Sequence, residues 1–314
     1  MTSTTTAQQT AAPGLSAIRA SAVSGAWPAV RAVLLGILGL VAVAGLWEGY
    51  KAVAPEKGVL IGKTRVLPRS SDLTMPHVWD IVKRLGEPVT SLPGAEPLWR
   101  VVMDAVVVSL KIAAAGWLIG TVIGLLLALL MARLKVAEWG LLPWIVLSQT
   151  VPLIAFAPMV RSWGAKFTIG SWQWEPWMSV ALIASYLAFF PVAVGALRGL
   201  QASQRIHTEL MHTYNAGWWS TLRRVRLPAA VPYLLPALRL GAAGAVVGTV
   251  VAEVSIAYPD GIGRMIITYA GQASGDPAKA YAPILGAIAL GLIAGGFVAL
   301  LGLTMRTYRR GEAS

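Results

Sequence analysis

The chain has 314 residues, 56% of them hydrophobic and only 13% charged, with a mean hydropathy of +0.65. A soluble domain carries roughly 25% charged residues because water must wet its surface, so this composition argues against a soluble enzyme and against a disordered chain. The formal net charge is +12, from 26 Lys and Arg against 14 Asp and Glu. In a chain this apolar, that excess reads as contact with anionic lipid and cytoplasmic anchoring. No basic face interleaved with exposed aromatics points to nucleic acid. With no cysteine there are no disulfides and no thiolate metal sites, and His77, His207 and His212 make no zinc spacing.

Residues 1–30, rich in Thr, Ser and Ala, read as a disordered tail without the cleavage site of a secretory signal. Apolar runs then follow one another. Ala32–Trp47, Ile112–Ala132, Leu141–Val160, Trp177–Leu197 and Ala280–Met305 are free of charge, and Leu227–Ala252 is broken only by Arg239. An α-helix rises 1.5 Å per residue, so about 20 residues cross a ~30 Å hydrocarbon core. The runs therefore predict six spans in an all-α polytopic membrane protein, the first extending over 31–53. Uninterrupted runs of this length are unlike the alternation of a transmembrane β-barrel. Tryptophans at 47, 99, 139, 163, 172, 174 and 177 cluster where spans end, as interfacial rings do.

Residues 54–98 read as a segment outside the membrane containing an amphipathic helix, and 99–310 as a core of five spans. Gly116, Gly120 and Gly124 place a small-residue ridge on the second span, which permits close helix contact. Pro143, Pro152 and Pro158 predict a bent third span packed against neighbours, because lipid cannot satisfy the carbonyls that proline frees. Charge does not orient the bundle. With the N-terminus inside, the two sides tie at twelve Lys and Arg each.

The connection between the fourth and fifth spans, residues 201–231, is the most informative stretch. A simple helix–helix connection takes about two to eight residues, whereas this one has some thirty. It predicts two short helices against the membrane. Glu209, Leu210, Thr213 and Tyr214 share one face of the first. Asn215, which tolerates a left-handed turn, ends it. Trp218, Trp219 and Leu222 give the second an apolar face beside Arg223, Arg224 and Arg226, and Leu227-Pro228 is expected to stop that helix before the fifth span.

This stretch resembles the EAA loop of binding-protein-dependent ABC importer permeases, in which Glu-Ala-Ala is followed by Gly and then Leu-Pro. Glu209 stands at the Glu position, Asn215 at the Gly position and Leu227-Pro228 at the Leu-Pro. Leu210 and Met211 replace the two alanines. The resemblance runs from about Val66 to Thr307. Ser109-Leu110, Gly116, Ala252-Glu253 and Gly261-Ile262-Gly263 are similar to the nitrate/sulfonate/taurine subgroup, to which thiamine-precursor pyrimidine permeases also belong.

The resemblance implies a multi-pass protein of the bacterial inner membrane with the type I importer permease fold. It also implies a cytoplasmic ATPase dimer as partner, an external solute-binding protein and a second permease subunit, expected as a homodimer. The loop 201–231 and the tail are then cytoplasmic. Its implied ATPase-coupling residues are Glu209, Leu210, Met211, Asn215, Trp218, Trp219, Leu222, Arg223, Leu227 and Pro228.

No GxxxxGK[ST] phosphate loop occurs. The chain is therefore expected to be non-catalytic and to hold no cofactor or metal itself, with ATP and Mg in the partner. Gln149 and Thr150, beside Pro152, are candidate pathway residues. Glu253 reads either as an interfacial carboxylate or as a gate paired with Lys111. Lys111 and Arg239 are expected to snorkel, or Arg239 to bond a neighbouring helix. An amino-acid or betaine-type permease and an ion-coupled secondary transporter are the alternatives, although no inverted repeat of broken helices is evident. An intramembrane enzyme would need convergent acid, base or metal ligands that the sequence does not bring together.

Overall fold

The structure, a computed structural model, describes residues 15–61 and 64–304. The described residues divide into two units, with the boundary after Val78.

In the first unit, α1 (Leu15–Val53) is followed by a small antiparallel hairpin of β1 (Val59–Ile61) and β2 (Thr64–Leu67). Helix α1 begins inside the segment expected as a tail, of which residues 1–14 lie outside the described residues. Its apolar stretch Leu34–Val53 is long enough to cross a membrane. Polar side chains at its end hold the returning chain. Glu48 accepts from the Val78 amide at 2.7 Å and lies 2.7 Å from His77 Nδ1, and Trp47 Nε1 donates to the Pro76 carbonyl at 3.0 Å. Lys51 Nζ donates to the Met75 carbonyl and to Asp72, and this holds the Asp72 carboxyl below the usual carboxylate range.

The second unit is a helical bundle. Its elements are α2 (Val78–Gly86), α3 (Leu98–Arg133), α4 (Lys135–Ser148), α5 (Leu153–Gly164), the hairpin β3 (Thr168–Ile169) and β4 (Trp172–Gln173), and α6 (Pro176–Gln201). They continue with α7 (Arg205–Thr213), α8 (Trp218–Thr221), a π-helical turn over Leu222–Arg226, α9 (Leu227–Ile256), α10 (Ile262–Gly271) and α11 (Pro277–Thr304). Helices α3, α6 and α9 pack together at the centre, with α11 against α3 and α9 and α5 against α6 and α9.

Small residues set how closely these helices approach. A Cβ added to Gly116 would lie 2.5 Å from Ala184 Cβ, and one on Gly120 would lie 2.6 Å from the Ser185 carbonyl of α6. The glycine ridge on α3 is thus the α6 contact. In a membrane, where lipid is as apolar as leucine, close packing of this kind is the main source of helix association.

The third expected span is the pair α4 and α5, bent by 102° at 149–152. At the break, Pro152 has an extended conformation (φ −64°, ψ 110°) and has no N–H to carry the ladder onward. The pair nonetheless joins opposite ends of the bundle. At one end Gln201 Nε2 donates to Glu138 Oε1 at 2.9 Å, and Arg226 Nη1 to the Ala132 carbonyl at 3.4 Å. At the other, Trp174 beside Gly164 donates Nε1–H to Ser179 Oγ at 2.8 Å, at the start of α6. It is a single bent span, which with five straight ones makes six candidates among the described residues.

The sequence placed a stop at Leu227-Pro228, and the structure corrects it. Helix runs from Trp218 to Ile256 through the π turn. A proline ring at 228 clashes with the carbonyl four residues back in an α-helix. The wider π register, in which the Leu227 amide donates to the Leu222 carbonyl, opens the turn just before it and lets the helix continue.

Candidate functional site

The connection between α6 and α9 stands at the end of the bundle where α3 turns into α4. None of the residues of α7 is buried. Asn215 has φ of 51°, the left-handed conformation that asparagine tolerates better than most residues. The Ala216 amide reaches back to the Met211 carbonyl at 2.9 Å and closes the helix end.

Beyond this turn the chain is anchored. Leu222 is 3% exposed and packs with Met131, Ile145, Leu197 and Ala230, and Trp218 packs against the same cluster. The Arg133 guanidinium lies 5.3 Å from the centre of the Trp218 ring, a cation–π contact that ties α8 to the end of α3.

The ten coupling candidates therefore separate. Trp218 and Leu222 fasten the unit to the bundle. Trp219, whose ring meets that of Trp218 edge-on at 4.8 Å, is exposed. Leu210, Asn215, Arg223, Leu227 and Pro228 are exposed as well, and Met211 is half-buried. Glu209 forms an i,i+4 pair with Arg205 at 2.8 Å, on a surface open to solvent. Such a pair contributes about 0.3–0.5 kcal/mol, so it yields readily to a better partner. The result is an exposed helix joined through the Asn215 turn to a foot packed into the bundle.

Glu253 is buried, at 0% exposure, and its carboxylate faces Ser109 and α10, whereas Lys111, the partner expected for a gate, is exposed. Ser109 Oγ donates to Oε1 at 2.6 Å, and the Gly263 amide donates to Oε2 at 2.8 Å. The Ile262 amide in turn donates to Ser109 Oγ at 2.9 Å. Serine and glutamate from two spans thus satisfy the first free amides of α10, which a buried helix start requires. The glycines make room: a Cβ on Gly261 would fall 2.2 Å from the Glu253 carboxyl carbon. Ala257, at φ 54°, turns the chain from α9 towards α10.

Gln149 and Thr150 sit at the α4–α5 break. The Thr150 hydroxyl donates back to the Leu147 carbonyl at 2.8 Å, and Gln149 Nε2 to Ser148 Oγ at 3.3 Å. Sequence reasoning missed Tyr186, whose hydroxyl donates to the Ser148 carbonyl and stitches α6 to the break. Only its place as the one polar aromatic in the apolar run Trp177–Leu197 after its first turn could have signalled it. Arg239 extends towards α11, where a Cβ on Gly302 would lie 3.0 Å from its Nη2.

Against known proteins, the family model described as "Binding-protein-dependent transport system inner membrane component" matches residues 120–307. The chain is 31% identical to the formylaminopyrimidine transport permease protein of Halalkalibacterium halodurans, over 61% of this chain and 71% of that one. It is 30% identical to the putative aliphatic sulfonates transport permease protein of Bacillus subtilis, over 62% of this chain and 66% of that one. Among solved structures, an amino acid ABC transporter with histidines aligns with a TM-score of 0.50 at 19% identity, covering 67% of this chain and 94% of that chain. At that identity the likeness concerns the fold alone.

Proposed function

The chain belongs to the family of binding-protein-dependent transport system inner membrane components, and from that membership we propose how this ABC importer permease works. Its α7–Asn215–α8 unit is the contact for a separate cytoplasmic ATPase, and its solute arrives from an external binding protein. The observation that carries this reading is the exposed α7 beside a foot of buried Leu222 and half-buried Trp218. A nine-residue helix with no buried side chain gains little from the bundle it belongs to, and isolated helices this short are marginal in water. Seating it in a partner's groove supplies the missing burial.

Closure of the ATPase dimer would move α7, and the rigid continuation of α8 into α9 would carry that displacement into the membrane. Glu209 would exchange Arg205 for a basic or amide group of the partner. ATP and Mg belong to that partner, and this chain makes and breaks no bonds. A second copy of the chain completes the pathway. The solute is small, of the nitrate/sulfonate/taurine or thiamine-precursor pyrimidine type.

The test is to purify the chain from its own membrane in mild detergent and identify co-purifying subunits by mass. An ATPase and a second copy of this chain are expected. A chain that runs alone and takes up solute on an ion gradient in proteoliposomes would overturn the reading.

A further inference from the structure

Towards the end of the bundle opposite α7, α5, the first half of α6 and the flanks of the β3–β4 hairpin line an open hollow of about 230 Å³. Four aromatic rings line it: Phe156, Trp163, Phe167 and Trp174. Tryptophans at a membrane surface often serve only as interfacial anchors. Here Trp174 is fixed more firmly than an anchor needs. Its Nε1–H is held by Ser179 Oγ at 2.8 Å, and its indole lies so close over Gly164 that an added Cβ would be 2.4 Å away. Phe156 meets Trp163 edge-on at 6.4 Å.

The rings continue inward. Phe156 lies 5.9 Å from Tyr186, and Tyr186 lies 5.8 Å from Phe189. Tyr186 is the residue that bonds the Ser148 carbonyl at the α4–α5 break. The break is exposed at Thr150, Val151 and Pro152, and the carbonyls of Gln149, Thr150 and Val151 accept no hydrogen bond among the described residues. Open carbonyls at membrane depth are tolerated only against protein or a water-filled cavity. The break, one turn before Phe156 and bonded by Tyr186, is therefore expected to face protein or water rather than lipid.

We propose that Phe156, Trp163, Phe167 and Trp174 form the entry subsite of the solute pathway and that it takes a planar heteroaromatic solute, passed by stacking towards Tyr186 and the broken span. This rests on the importer reading above and narrows its solute to the pyrimidine-like class. Flat π-systems stack on aromatic faces with little dependence on further hydrogen bonds. A small aliphatic sulfonate has no such face and would leave its charge against an apolar wall.

The full-length chain in lipid nanodiscs is dialysed against labelled formylaminopyrimidine, with labelled taurine as the non-aromatic control. Saturable binding of the pyrimidine and none of taurine is expected. Phe156→Leu and Trp174→Leu should each weaken binding about tenfold, the loss of one stacking partner, while Trp174→Phe, which keeps a ring, stays within about twofold of wild type. Equal yields of monodisperse chain exclude misfolding, and Phe156→Leu carries the test if Trp174→Leu does not fold. Unchanged binding in both Leu variants, or taurine bound as well as the pyrimidine, would reduce the hollow to an interfacial belt and overturn the proposal. Uptake by the host cells separates the two readings. Cells that import the pyrimidine through a chain that does not bind it in nanodiscs leave the importer reading standing and remove this subsite. Cells that import taurine and not the pyrimidine remove the solute class itself.

Discussion

Glu253 shows how far one residue can be read from sequence. A carboxylate near the end of an apolar run signals importance, but its partner Ser109 is 144 positions away, and no local pattern announces the pair. The structure makes it a positioning residue: with Ser109 it takes up the first amides of α10 in a site closed to solvent. Removing one side of such an arrangement leaves buried donors unsatisfied, at about 1–3 kcal/mol each. Glu253→Ala should therefore accelerate amide exchange at Ile262 and Gly263 well beyond the rest of the core. Glu253→Gln, which keeps a carbonyl acceptor, should do so far less. Hydrogen exchange by mass spectrometry reads both, and protection unchanged in the Ala variant would show that α10 is held by its apolar contacts alone.

At the scale of elements, legibility followed the range of the cause. The bend of the third span was written in its prolines, because a missing N–H acts within one turn, and α4 and α5 part at Pro152. The glycine ridge of α3 was legible as a packing face, though its partner α6 was not, since spacing on one helix says nothing about which helix meets it. The continuous helix from Trp218 into α9 was misread at Pro228. A π turn over Leu222–Arg226 absorbs the proline, and its first residue, Leu222, is buried in the bundle, a tertiary setting that no local pattern announces. The aromatic hollow was legible only as interfacial tryptophans, because its rings come partly from α5 and partly from the two flanks of the β3–β4 hairpin.

At the scale of the whole molecule, α4 and α5 together cross the bundle, so the α3–α4 corner and the α7 unit share one end. Arg133, Lys135, Arg205, Arg223, Arg224 and Arg226 are all carried by the elements of that end, and the importer reading expects it to be cytoplasmic. The chain contains no cysteine, so a single cysteine at Tyr214, which is 77% exposed, reports its side cleanly. A membrane-impermeant maleimide should label Tyr214→Cys only after cells are opened, whereas labelling in intact cells would invert the bundle.

The central claim is that ATP hydrolysis in a partner reaches this bundle through the α7–Asn215–α8 unit. Interfaces concentrate their energy in a few anchors, whose loss costs about 2 kcal/mol or more, and about 2.7 kcal/mol is a hundredfold in association. Lengthening the left-handed turn should be more damaging still, since it detaches α7 from the foot that aims it. The measurement is ATP-driven solute uptake and ATPase co-purification for a chain with a Gly-Ser insertion after Asn215. The account predicts a chain inserted and folded as in wild type, with uptake abolished and the ATPase lost. Full ATP-driven uptake with the insertion in place would make this loop an ordinary connector and contradict the account.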